Sequence, residues 1–146
     1  MLRYYLGKES AIVDAPSIGS RTAERLEGLG IYTVRDLLNA DPSVVAEKLD
    51  HRRIDADTVL AWQQQARLMC TSPMLRGHDV QLLVAAGVTS VEQLAQCDAE
   101  WLLAEVKPIA RSDEGKRILR GAQAPDLAEV NDWIAWACQR EGVVAA

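Results

Sequence analysis

The sequence contains no phenylalanine, only three tyrosines, and no stretch in which valine, isoleucine and threonine alternate with polar residues. Sheets draw on such residues, so a β-sandwich or barrel is excluded as the main architecture. No uninterrupted apolar run approaches the roughly 18–20 residues a membrane span needs, and no basic-then-apolar signal segment opens the sequence. Cys70, Cys97 and Cys138 are far apart, odd in number and form no CxxC pair. That spacing argues against structural zinc and for small core residues in a reducing, cytoplasmic compartment. The two histidines, His51 and His78, are far apart, and no Gly-x-Ser-x-Gly, HExxH or GxxxxGK[ST] sequence appears. His78 beside Asp79 reads as a surface pair at a helix start, and Asp113-Glu114 as helix N-terminal charge. The expectation is a non-enzyme with no metal site. Surplus basic charge is also missing: 16 Lys and Arg stand against 21 Asp and Glu, a net −5 that weighs against a generic nucleic-acid binder.

What is present is an ordinary globular composition, 49% apolar and 25% charged over 146 residues, enough for one domain. Ala, Leu, Glu, Gln and Arg are plentiful, and all favour helix. The expected fold class is all-α, a compact single domain spanning 1–146.

The chain resembles itself at a shift of 57 residues, from Gly30 to Gly87. At that shift Ile31 meets Val88, Val34 meets Val91, Leu37 meets Leu94 and Asp41 meets Asp98. Further out, Ile18 meets Leu75, Ala23 meets Val80, Leu26 meets Leu83, Leu29 meets Ala86 and Val45 meets Leu102. The agreement lies at apolar and turn positions, which a shared backbone would fix. The reading is two copies of one helical unit, at 10–50 and 55–106, then a connector and terminal helix over 107–146.

Local signals place the helices. Ser20 caps a helix over 20–29 that Gly30 ends. Thr33 caps one over 34–39, and Asp41-Pro42 opens another to about residue 49. A longer helix over about 55–70 carries Val59, Trp62, Ala66 and Met69 as one buried stripe. The second copy repeats the order at about 77–86, 91–96 and 99–106. Within 107–125 one short helix is expected around 112–119. An amphipathic helix over about 126–140 ends the domain. Residues 1–13 receive no assignment. Most of the four tryptophans, Trp62 and at least one of Trp133 and Trp136 among them, read as core rather than as base-stacking platforms.

The motif that carries chemistry is PSIGSRTAERL, residues 16–26. A tight Pro-x-apolar-Gly turn leads straight into a helix. Ile18 plugs the turn into the core, and Gly19 permits close backbone approach. The N–H groups of the turn and first helical turn then point outward at the positive end of the helix dipole, a site for a phosphate oxygen. Arg21 and Thr22 add a charge and a hydroxyl.

These residues, followed by GIYTVRDLL, resemble the helix-hairpin-helix motif, whose usual hairpin reads Pro-Gly-(Ile or Val)-Gly. With LLVAAGVTSVEQLAQ at 82–96 and a terminal Val130-Asn131-Asp132-Trp133-Ile134, the chain over roughly 10–140 is similar to a bacterial family of unknown function built from two such motifs in tandem. The resemblance implies hairpins packed about a pseudo-twofold axis. It also implies non-sequence-specific binding of DNA, or of structured nucleic acid, through backbone phosphates. It leaves room for a hairpin-bound monovalent cation near Ile18, and otherwise implies no cofactor.

The first hairpin departs from the pattern in having Ser17 for the leading glycine. The second departs further: Met74 replaces Ser17, Arg76 replaces Gly19, and Asp79 sets a carboxylate beside the phosphate position. It is expected to keep its packing role and lose phosphate binding, with Arg76 as the one side chain placed to restore a contact. Residues 1–73 hold nine Lys and Arg against ten Asp and Glu, a net −1; residues 74–146 hold seven against eleven, a net −4. The expected contact set is Ser17, Ile18, Gly19, Ser20, Arg21, Thr22 and Arg25, with Arg52, Arg53 and Lys8 completing a local basic face. Binding should be weak and salt-sensitive. The competing expectation is a protein-interaction or scaffold module that has lost phosphate binding.

Overall fold

The computed structural model describes residues 6–140, all-helical apart from turns and one isolated bridge between Ala11 and Thr33. A 3-10 turn at Ile12–Asp14 precedes α1 (Ser20–Glu27), α2 (Val34–Asn39), α3 (Pro42–Leu49) and α4 (Ala56–Thr71). Then follow α5 (Gly77–Ala85), α6 (Val91–Ala95), α7 (Ala99–Arg111), α8 (Asp113–Leu119) and α9 (Leu127–Arg140). The helices α5, α6 and α7 begin 57 residues after α1, α2 and α3, from Ser20 to Gly77, Val34 to Val91 and Pro42 to Ala99.

The matching positions do matching work. Gly30 and Gly87 both take a positive φ, 87° and 89°, which a side chain would resist. Past each glycine the chain turns back: Ile31 N–H donates to Leu26 O at 3.0 Å, and Val88 N–H to Leu83 O at 2.9 Å. Such 6→1 bonds satisfy carbonyls the helix end leaves over. Thr33 and Ser90 cap α2 and α6, while Asp41 and Asp98 cap α3 and α7. Of the apolar pairs at that shift, both members are buried in all but Leu29 and Ala86, which are half-buried.

Helix α4 forms the spine. Its expected stripe of Val59, Trp62, Ala66 and Met69 is buried, and α2 and α3 pack on one part of it and α5 on another. Two buried glutamines, Gln63 and Gln65, lie on different sides of it. Gln63 Nε2 donates to the Leu37 and Ala40 carbonyls at 2.9 and 2.8 Å, tying down the end of α2. α9 closes the far side against α6 and α7, burying Val130, Trp133 and Ala137. Of the cysteines, Cys138 is buried, and Cys70 and Cys97 are half-buried.

Three expectations change. Ser20 is the first helical residue rather than the cap; Gly19 is the cap, and α1 ends at Glu27. Residues 107–125 are mostly helix, because α7 runs through Pro108 to Arg111. Proline there leaves the Ala104 carbonyl without its helical donor, but Ala104 and Pro108 are both exposed, so water replaces the bond. Trp101, which the sequence left without a reading of its own, is 49% exposed. Asp79 is 1% exposed, so His78 and Asp79 are not a surface pair.

Helix α8 rests on the end of α7. Ser112 Oγ accepts from Gly115 N–H at 3.1 Å and donates to Ile109 O at 2.5 Å. Gly115 is buried, and a Cβ there would overlap the Ile109 carbonyl oxygen and stand 2.6 Å from that of Ala110. Only glycine allows this approach, and the approach carries α8 to the first hairpin.

Candidate nucleic-acid interface

The hairpin is a four-residue turn, Ala15-Pro16-Ser17-Ile18, closed by Ile18 N–H donating to Ala15 O at 3.3 Å. Pro16 presets the second position. Ser17 sits at φ 69°, as the third position of a type II turn demands. Glycine would adopt that φ freely; serine holds it while its Oγ donates to Oε1 of the buried Gln65 at 2.6 Å. Ile18 is buried beneath the turn as its plug. Its amide is therefore spent within the turn, and it contributes shape rather than a contact.

Gly19 follows in extended conformation, φ −84° and ψ 178°, with no heavy atom within 4 Å of where a Cβ would stand. It leads directly into α1. No side chain caps α1, and among the described residues no acceptor meets the amides of Gly19, Ser20, Arg21 or Thr22. Every other described helix brings a side chain to its N-terminus. Thr33, Asp41, Asp55, Ser90, Asp98 and Ser112 cap α2, α3, α4, α6, α7 and α8, and Asp126 Oδ1 accepts from Glu129 N–H in α9. At α5 the Asp79 carboxylate accepts the Arg76 amide at 2.9 Å. Gly19, Ser20, Arg21 and Arg25 are exposed and Thr22 is half-buried, so solvent reaches this N-terminus.

A groove of about 720 Å³ opens beside the turn, lined by Ser17, Ile18 and Gly19 on one bank and by Gly77, His78 and Gln81 of α5 on the other. Helix α8 completes it with Glu114, Arg117, Ile118 and Arg120. Arg117 and Arg120 are exposed and form no salt bridge among the described residues. Burial pushes the His78 imidazole below its ordinary value; the Asp79 carboxylate opposes that shift, and the Arg76 guanidinium reinforces it. Arg117, Arg120 and His78 were not among the contacts expected from the sequence. A 57-residue repeat says nothing about α8, which lies outside it; the close approach at Gly115 and packing against α5 and α7 bring α8 to this place.

Arg52 and Arg53 are exposed in the turn between α3 and α4, where His51 Nδ1 accepts from Arg53 N–H at 3.2 Å. They do not line the groove. Lys8 lies in a separate cleft with Arg35 and Arg67.

The second hairpin has a different backbone. Leu75 N–H closes on Ser72 O at 3.0 Å, but Met74 keeps a negative φ. The central peptide of such a turn is flipped relative to type II, so the Met74 amide and the Ser17 amide face opposite ways. Arg76 is engaged within the protein. Its Nε donates to Asp79 at 3.2 Å and its second amino nitrogen to Glu129 at 3.3 Å, so two carboxylates offset its partly exposed charge. The Asp79 carboxylate, buried at the start of α5, already supplies the anion that this N-terminus attracts.

For a hairpin-bound monovalent cation the turn offers backbone oxygens alone: the carbonyls of Pro16, Ser17 and Ile18 accept no hydrogen bond from the described residues. Among those residues no group of three or more His, Cys, Asp or Glu is placed to hold a metal ion.

Fold and site together define an all-helical domain in which the N-terminus of α1 meets no side-chain acceptor among the described residues and faces an open groove. The chain belongs to the family described as Domain of unknown function (DUF4332), which matches residues 16–140. No curated protein and no solved structure matches it.

Proposed function

We propose that the domain is a non-enzymatic, non-sequence-specific nucleic-acid-binding module, built from two helix-hairpin-helix units in tandem, of which only the first holds a phosphate. The observation that carries this reading is the N-terminus of α1: four unpartnered amides behind a type II turn, exposed beside Arg117 and Arg120. Amides aligned with the positive end of a helix dipole bind phosphate oxygens, and they carry no base information. The 57-residue offset of helices, caps and positive-φ glycines supports the tandem reading. DNA is the favoured ligand. Free cysteines at positions 70, 97 and 138 suit a cytoplasmic setting, and no helix among the described residues is long and apolar enough to cross a membrane.

The test is binding of a labelled duplex at low and moderate salt, with Gly19→Glu and Arg21→Ala as variants. Salt-sensitive binding that both variants weaken supports the reading. Absence of binding at low salt overturns it and favours a protein-interaction module, for which the exposed Trp101 indole is the supporting feature.

A further inference from the structure

A second concavity, of about 520 Å³, lies where the segment before the 3-10 turn meets α2 and the last turns of α4. That volume falls in the range of small-molecule sites. Three cations line it, Lys8, Arg35 and Arg67, each from a different part of the chain, and no carboxylate does. Lys8 and Arg67 form no salt bridge among the described residues. Arg35 pairs with Glu9 at 2.6 Å, but both side chains are more than half exposed, and such pairs are weak enough for a better anion to displace. One backbone bond joins two of the three segments: Arg35 N–H donates to Lys8 O at 2.8 Å, which sets the stems of these two side chains side by side. In a chain with a net charge of −5, three like charges converge on one hollow with no counter-charge in its lining.

The geometry points to a binding site for a compact, multiply charged phosphate compound of the pyrophosphate or bisphosphate class, independent of the hairpin. Two guanidinium groups supply planar forks that match phosphoryl oxygens, and Lys8 adds a point charge. Asn39 can add an amide donor at the rim. No aromatic side chain lines the hollow, so it lacks the stacking surface that a nucleic-acid strand would use. Leu38 and Cys70 form the apolar part of its wall.

Cys70 provides the readout. The whole protein is alkylated with iodoacetamide in the presence of increasing pyrophosphate, at ionic strength held constant with chloride, and each cysteine is followed by peptide mass spectrometry. The expected result is that Cys70 modification slows hyperbolically, by about tenfold when pyrophosphate reaches about ten times its Kd, while Cys97 is unaffected. The double variant Lys8→Gln with Arg67→Gln changes exposed side chains only, so it keeps its melting temperature and loses the protection. The proposal is overturned by no protection at about 10 mM, ten times a weak millimolar Kd. It is equally overturned by matching protection from chloride, by parallel slowing at Cys97, by protection that survives in the double variant, or by protection from duplex DNA where pyrophosphate gives none.

Discussion

Replacing Gly19 with aspartate should make the protein more stable and a worse nucleic-acid binder. Gly19 has the extended backbone of an N-cap, φ −84° and ψ 178°, and open space where a Cβ would stand, so aspartate enters without strain. Its carboxylate can accept from the Arg21 or Thr22 amide, as Asp41 does from Ser43 and Val44 at 2.9 and 3.3 Å. Glycine is already a tolerable cap, so the hydrogen bond adds only about 0.3–0.5 kcal/mol. A carboxylate at the positive end of the dipole adds about 0.5 kcal/mol more. The total of about 1 kcal/mol should raise the melting temperature by about 3 °C in a domain of this size. The same carboxylate occupies the amides proposed to hold phosphate and repels the ligand. Losing one or two charge-assisted hydrogen bonds costs about 2–3 kcal/mol, a drop of about thirtyfold or more in affinity. Gly19→Ser is the neutral companion, with a smaller gain in stability and a smaller loss of binding. Calorimetry and duplex titration at one salt concentration read both quantities. Unchanged binding in a stabilised Gly19→Asp protein would refute the amide contact. A lower melting temperature would refute the assignment of Gly19 as an unstrained cap.

The other predictions address neighbouring parts of the argument. Ser17→Ala keeps the strained φ and loses the bond to Gln65, whereas Ser17→Gly loses only the bond; the glycine variant should be the more stable of the two by about 1 kcal/mol in urea melts, and equal stability would show that the turn is not strained. Gly115→Ala should cost about 3 kcal/mol by forcing α8 off α7, read as a melting temperature about 9 °C lower; a smaller loss than 1 °C would contradict the packing. Arg117→Ala with Arg120→Ala should reduce the slope of log K against log salt by about 1.8, while Arg52→Ala with Arg53→Ala should leave it unchanged; the opposite pattern would move the interface to the α3–α4 turn. His78, held below its usual value chiefly by burial, is neutral in the folded protein where the unfolded chain begins to protonate. Stability is therefore full above about pH 6.5 and is lost as pH falls from there through the lower folded value. The imidazole should titrate below about 6.5 by proton NMR and move upward when DNA enters the groove; a shift in the other direction would place the phosphates elsewhere.

Much of this fold was legible because its signals are local. Thr33, Asp41, Asp98 and Ser112 act as caps within three residues of themselves, and Gly30 and Gly87 need no distant partner to justify a positive φ. Ser20 misled because serine is a good cap in isolation, while the turn before it had already brought Gly19 to that position. Pro108 misled for a similar reason: its cost is local, and the burial of Val106 and Ala110 that outweighs it is tertiary. The site divides in the same way. The hairpin and its amides follow from eleven consecutive residues, but the arginines that join it come from α8, nearly a hundred residues later, and depend on a buried glycine contact with no sequence signature of its own.

The overall charge acquires a different meaning from this arrangement. A net −5 counts every carboxylate equally, yet many are committed to backbone amides. Asp36, Asp41, Asp55, Asp79, Asp98 and Asp126 each accept from a helix N-terminal amide, and the Tyr32 and Thr33 amides hold the Asp36 carboxyl below its usual range. Those six of the 21 acidic side chains meet the positive ends of their own helices, so part of the acidity of the chain is committed to helix N-termini. Hydroxyls of Ser90 and Ser112 cap α6 and α8, whereas no side chain among the described residues meets the α1 N-terminus, and Arg117 and Arg120 on its groove form no salt bridge among those residues. A phosphate there would complete, from outside, the pattern that carboxylates complete elsewhere within the chain. Part of the acidic composition and the phosphate site thus follow from the same electrostatics at helix N-termini, and Gly19→Asp tests that link directly by giving α1 the anion that α3, α4 and α7 already have.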